Sequence, residues 1–398
     1  MNNYFYNYGV AGALTTRSYI NIYFIIILLV GIVFRLIMPF RGHNFDLESY
    51  RIVADIIEHG GNVYAETKRY NYGPIWFYIL HILDAIPWNT ENKVIELHWK
   101  VASFLSMVDV GIFLILFRMY GIIIAALFFL NPISIIITGY HSQFDNLAIL
   151  LGLISVIFIE KRERRILVFI GLLVMGISLS VKHILFIFPI WLAFKEIRLS
   201  RKLLFIFIPY FVFLLGFVFF MKDGWDGILH NVFLYKSFNN APFWSDFTPY
   251  SLYTLVPPIF LFIAALLVIG LFWRSKKAIE SLHLYLISLV VFSSAIANQY
   301  LAICTSSIAT QWNMAYAAYS LVGTVFLLVE GNGLHIYFLQ NLIGWDGDGG
   351  YYLLIALLSF GLLKTALAQK SIDALLNFFK VCIRWLIKEI KVQAKAPW

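Results

Sequence analysis

The feature that most restricts this chain is a succession of apolar runs, each about 17 to 22 residues long, parted by short basic clusters; a helix needs about 20 such residues to cross roughly 30 Å of hydrocarbon. Hydrophobic residues make up 61% of the 398 and charged residues only 13%. A soluble domain is about 25% charged, so that class is excluded. Period-two alternation is missing, which excludes a membrane β-barrel. The expected fold is an all-α polytopic membrane protein.

Candidate spans cover residues 19–38, 95–117, 121–140, 147–160, 166–181, 184–194, 203–221, 252–273, 283–297, 312–329, 334–343 and 351–367. That is about 12 helices, several of them short. Basic clusters at 161–165, 195–202 and 274–277, and from Lys364 onward, share one side if an even number of spans separates them. The positive-inside rule makes that side the cytoplasm, with both termini there. Span ends account for the net charge of +8, so no nucleic acid is expected as a partner, and membrane lipids are. The first span follows a short polar tail with no small-residue cleavage site and is expected to be retained. Residues 73–87 are too few to cross, and are expected as a short helix from Pro74 at the outer boundary. Cys304 and Cys382 have neither metal nor redox spacing.

Two long loops, 40–94 and 222–250, then fall outside. So do His141 to Asn146, Lys182-His183 and Asn298-Gln299-Tyr300. Long loops of this kind tend to carry function. In the first, residues 47–61 read as a helix with an apolar stripe of Ile52, Val53, Ile56 and Ile57, an Arg51–Asp55 pair and a Gly60-Gly61 stop. Asp46 falls at its N-cap, where the helix end favours the charged carboxylate a general base requires. It is therefore either a cap or a catalytic base.

His141, Gln143 and Asp145 lie within one turn beside the kink expected at Asn131-Pro132, and suit a polar wall around a bound sugar. Lys182-His183 breaks an apolar stretch, and a cation at that depth calls for an anion such as a lipid phosphate. Lys222, His230 and Lys236 could serve the same phosphate. Residues 346–350 begin like a calcium loop but lack its remaining ligands. The tail 371–393 places Lys380, Arg384, Lys388 and Lys391 opposite Leu375, Phe379, Leu386 and Ile390, as in a helix lying on a membrane surface.

The run Asn44-Phe45-Asp46-Leu47-Glu48-Ser49-Tyr50, with Tyr64 and Tyr70-Asn71-Tyr72-Gly73-Pro74 after it, resembles the first external loop of the GT-C superfamily of membrane glycosyltransferases. In its dolichyl-phosphate-glucose-dependent ER members, an Asp-x-Glu precedes a Tyr-Pro-Pro-type segment. The tract from Asn131-Pro132 to Asn146 is similar to their His-Phe-Gln-Tyr-Asn tract, Val181-Lys182-His183 to their Phe-Lys-Gln, and residues 231–233 with 240–244 to their second-loop pattern. Tyr-Gly-Pro here replaces Tyr-Pro-Pro, and Asn298-Gln299 stands where a late His-Glu-Lys is expected.

The resemblance, which covers about residues 20–250, implies a GT-C-like catalytic module in residues 1–250; variable transmembrane helices are expected in 251–370 and, from its charge pattern, a basic cytoplasmic tail in 371–398. It also implies inverting transfer of a hexose from a polyprenyl-phosphate sugar to a lipid-linked or cell-surface glycan at the external membrane face. Asp46 would be the catalytic base. Glu48, Arg51, His141, Gln143, Asp145 and Gln299 would bind substrate, and Lys182, His183 and Lys236 the donor phosphate. No cofactor is expected, and no metal, since Asp46 and Glu48 lack a third ligand. The expected location is a prokaryotic plasma membrane, with the ER as the alternative. A transporter or flippase of lipid-linked sugars is the competing class. It calls for internal repeats and charges near the bilayer midplane, and neither is read in the sequence.

Overall fold

The computed structural model describes residues 13–88, 92–235, 256–293, 295–343 and 349–368. Lys236, the 240–244 pattern, the acidic turn around 346–348, Cys382 and the basic tail lie outside the described residues.

Every long element among the described residues is a helix. In chain order they are α1 (Ala13–Ile37), α2 (Phe45–Glu58), α3 (Pro74–Ala85), α4 (Lys93–Tyr120), α5 (Ile122–Phe129), α6 (Pro132–Gly139), α7 (Asp145–Ile159) and α8 (Arg165–Val181). There follow α9 (Phe188–Phe194), α10 (Leu199–Leu215), α11 (Pro258–Phe272), α12 (Ala278–Phe292), α13 (Met314–Val329) and α14 (Gly349–Ala368).

Among the described residues, four stretches are long and apolar enough to cross a bilayer: Ile22–Arg41, Lys93–Tyr120, Leu199–Phe233 and Gly349–Leu367. A fifth joins α5 and α6, bent by 49° at Asn131-Pro132. Asn131 supplies the bend, since its side chain accepts from Ile133 N and Pro132 takes the first helical position. The remaining apolar helices among the described residues, such as α7 with 15 residues and α8 with 17, are shorter, so length and composition alone account for four or five of the roughly 12 expected spans. Large apolar side chains on α1 and α10, among them Ile22, Ile26, Leu29, Leu203 and Phe207, face outward. Helices with exposed apolar side chains of this kind suit hydrocarbon.

Residue chemistry explains where the helices stop. As expected, Pro74 starts α3, whose 12 residues are about 18 Å long and fall short of a bilayer. Gly60, at φ +73°, turns the chain after α2. Lys182 ends α8 in an extended conformation, breaking the run from α8 to α9. Met221–Gly227 and Ile228–Phe233 are helical, so the loop expected from residue 222 begins as a continuation of α10. A further helical piece, Tyr300–Ile303 followed by Thr305–Thr310, is buried almost throughout and was not expected.

The bundle is also pinned by a charge pair inside its apolar core, which corrects the reading that the spans hold no such charges. Arg35 of α1 donates through Nε to Asp109 Oδ2 at 2.7 Å, and both are fully buried. Asp109 lies mid-way along α4. Its carboxylate also accepts from Thr138 Oγ1 at 2.8 Å and Asn146 Nδ2 at 2.6 Å, while Arg35 donates to the Gly31 and Phe129 carbonyls and to Ser134 Oγ. Five segments, α1, α4, α5, α6 and α7, therefore meet at one satisfied pair, and the last two lead directly into the His141 to Asp145 turn.

Candidate active site

Asn44, and not Asp46, caps α2. The helix begins at Phe45 instead of Leu47, and Asn44 Oδ1 accepts from Asp46 N at 3.2 Å. Asn and Asp cap equally well, so the choice falls to the other end of the side chain. Asn44 Nδ2 lies 3.1 Å from both Asp46 Oδ2 and His141 Nδ1, two acceptors that a carboxylate could not serve. Asp46 is thereby left in the first turn with its carboxylate free of capping.

That carboxylate faces the turn between α6 and α7. Gln143 Nε2 donates to Asp46 Oδ2 at 2.5 Å, and Gln143 Oε1 accepts from Lys182 Nζ at 3.4 Å. Lys182 is buried and paired with Asp145 Oδ2 at 2.7 Å. His141, Gln143 and Asp145 do not share one helical turn as expected. Ser142, at φ +52°, reverses the chain between them, and Asp145 opens α7. All three are nonetheless brought to the same place and buried.

Aromatic rings complete the wall. Lys182 Nζ lies 4.7 Å from the Phe144 ring centroid and 5.1 Å from that of Tyr72. Phe144 stacks on Trp76 at 4.0 Å, with Tyr50 edge-on to both. Tyr72 is delivered by its neighbour: any Cβ at Gly73 would collide with the Ser180 carbonyl. The Tyr-Gly-Pro variation thus lets the start of α3 sit directly on the end of α8. Burial, then the charges of Asp46 and Asp145, raises the Tyr72 hydroxyl well above its ordinary value. Tyr300, at the head of the unexpected buried helix, also lies within electrostatic reach of Asp145. Tyr72 and Tyr300 could be named from the sequence but not given a place.

Several buried polar atoms converge here without a protein partner among the described residues: His141 Nε2, Asp145 Oδ1 and the Tyr50 hydroxyl. Because Asn44 donates to His141 Nδ1, the imidazole proton sits on Nε2, a buried donor lacking an acceptor. Burial depresses His141 from 6.5 to about 4, so it is neutral at pH 7. Unsatisfied buried groups gathered in one place are a usual mark of a binding site.

The other expected site residues fall elsewhere. Arg51 Nη1 lies 2.7 Å from both Asp84 oxygens, and Arg51 also pairs with Asp55, so it ties α2 to α3. Glu48 is half exposed and lies 3.7 Å from Arg69. His183 opens a short turn after Lys182, its Nδ1 buried and without a partner among the described residues. Gln299 precedes Tyr300 and is partly exposed, whereas Asn298 bonds Glu330 and Tyr351. His230 pairs with Asp226 on the surface.

No family model, curated protein or solved structure matches this chain.

Proposed function

We propose that the chain is an inverting glycosyltransferase of GT-C type that takes a hexose from a polyprenyl-phosphate carrier. The observation that carries this reading is Gln143 held between the Asp46 carboxylate and the Lys182 ammonium. Such a site needs a base for the acceptor and a cation for the departing phosphate on either side of one sugar.

In the proposed reaction Asp46 takes the proton of an acceptor hydroxyl as its oxygen bonds to the anomeric carbon. The bond from that carbon to the phosphate oxygen breaks, and the lipid phosphate leaves with the electron pair. Lys182 meets the growing charge in a desolvated setting, where such a contact is worth most. Tyr72 and Phe144 shape the cation's surroundings, and His141 Nε2 and Asp145 Oδ1 are available to sugar hydroxyls. Lys236, Gln299 and Glu48 remain candidates for substrate contacts.

A bundle of about 12 crossings, reached if each short apolar helix spans a locally thinned region, belongs to the same reading. So do cytoplasmic termini, a plasma-membrane location and a glycan acceptor outside.

The test is transfer of radiolabelled sugar from synthetic polyprenyl-phosphate-glucose and -mannose in proteoliposomes, wild type against Asp46→Asn. Loss of transfer in folded Asp46→Asn protein supports the reading, and unchanged transfer overturns it. A second reading, a transporter or flippase of lipid-linked sugars, draws on the buried Arg35–Asp109 pair, since ionisable groups in apolar spans often mark transport paths. Every nitrogen of Arg35 already has a partner, which favours the enzyme.

A further inference from the structure

The α7–α8 hairpin has two working ends. One carries Asp145 and Lys182. The other, about 22 Å away along the 15 residues of α7, opens into a cavity of about 470 Å³ between α7, α9, α10 and the start of α12. Five of its lining residues are cationic, Arg162, Lys195, Arg274, Lys276 and Lys277, against one carboxylate, Glu160. Glu160 is already engaged, accepting from Ile279 N at 3.0 Å.

The cations are differently held. Lys195 reaches inward, its ammonium donating to the Lys276 carbonyl at 2.5 Å and the Arg274 carbonyl at 3.3 Å, and burial lowers it from 10.5 to about 8. Arg162 lies 3.4 Å from Glu196, which it shares with Arg201. Arg274, Lys276 and Lys277 have no carboxylate partner among the described residues. Leu192 and Phe205 line the same cavity, and next to Phe205 the outward face of α10 presents Leu203, Leu204 and Phe207. A pocket that is cationic at its mouth and apolar beneath, beside a lipid-facing helix, matches one kind of molecule.

We propose that this cavity binds the phosphate of an anionic phospholipid, with the acyl chains lying along α10. The shared chemistry with free phosphate is the anion, and the apolar floor and the α10 face select the lipid. Basic pockets between membrane helices on the cytoplasmic side bind phospholipid headgroups in this manner. The assignment does not depend on the reaction at the Asp46 site.

The test uses the full chain in detergent with fluorescent phosphatidylglycerol, phosphatidylcholine and inorganic phosphate as probes. Arg274→Gln/Lys277→Gln removes two exposed cations from the cavity. Arg164→Gln/Arg165→Gln removes two exposed cations from the same end of the hairpin but outside the cavity. Phosphatidylglycerol should bind the first double variant about 25-fold more weakly than wild type, at about fivefold per cation. It should bind the second almost as wild type, and phosphatidylcholine should bind poorly throughout. Equal weakening in both variants would reduce the effect to general surface charge and overturn the proposal. Competition by inorganic phosphate as effective as unlabelled phosphatidylglycerol would overturn the lipid assignment, as would wild-type affinity in the first variant.

Discussion

Gln143 donates its side-chain amide to the Asp46 carboxylate at 2.5 Å, across 97 residues of sequence. The contact joins α2 to the turn between α6 and α7, and it fixes the direction in which the carboxylate points. Gln143 is thus a positioning residue for Asp46. Gln143→Leu should slow sugar transfer about 10- to 100-fold, the worth of a hydrogen bond to a charged group, while leaving the donor KM nearly unchanged. A large rise in KM at unchanged kcat would make Gln143 a donor-binding residue instead.

Lys182 and Asp145 form a pair with side chains almost excluded from solvent, at 2.7 Å. Removing one member strands the other, so Lys182→Met should destabilise the protein by about 3–5 kcal/mol. The double variant Lys182→Met/Asp145→Leu removes both charges and should recover most of the lost stability. Transfer should stay absent in the double variant, because the leaving phosphate has lost its cation. Thermal denaturation beside the transfer assay separates the two effects; activity in the refolded double variant would refute the role given to Lys182.

What could be read in advance was local backbone chemistry. Pro74, Asn131-Pro132, Gly60-Gly61 and Lys182-His183 mark a start, a bend, a stop and a break through the dihedral limits and hydrogen bonds of the residues themselves. What could not be read were choices made by distant partners. Asn44 and Asp46 are equal candidates for the cap until His141 enters from 97 residues away. Arg51 could be paired in sequence with Asp55, but Asp84, which draws it into the α2–α3 brace, lies 33 residues on. The buried helix at 300–310 was hidden because Thr305-Ser306-Ser307 interrupts its apolar run, and burial on all sides erases the usual amphipathic pattern.

His141 makes stability depend on acidity. The unfolded imidazole takes up a proton near pH 6.5, whereas burial delays this in the folded protein to about 4. Between those values the unfolded chain binds more protons, so the contribution is complete above 6.5 and is lost as pH falls towards 4. His141→Gln keeps an acceptor for Asn44 and removes the titration. Its melting temperature should fall less steeply than wild type over that window, with the curves parallel above pH 7. Parallel curves throughout would mean that His141 is not the group responsible.

Arg35 and Asp109 decide between an architectural and a transport role for buried charge. Each is fully excluded from solvent and each is saturated by hydrogen bonds from α1, α4, α5, α6 or α7. Asp109→Ala leaves a guanidinium in an apolar interior and should cost about 3–5 kcal/mol. Arg35→Met/Asp109→Leu replaces both with apolar groups of similar size and should restore much of that, though Thr138 and Asn146 lose their acceptor. If the pair only braces the helices that present the His141 to Asp145 turn, the double variant keeps sugar transfer within about tenfold of wild type, a shift of about 1.4 kcal/mol in the barrier. A stable double variant with no transfer, but with altered movement of a lipid-linked sugar across proteoliposomes, would move the protein to the transporter class.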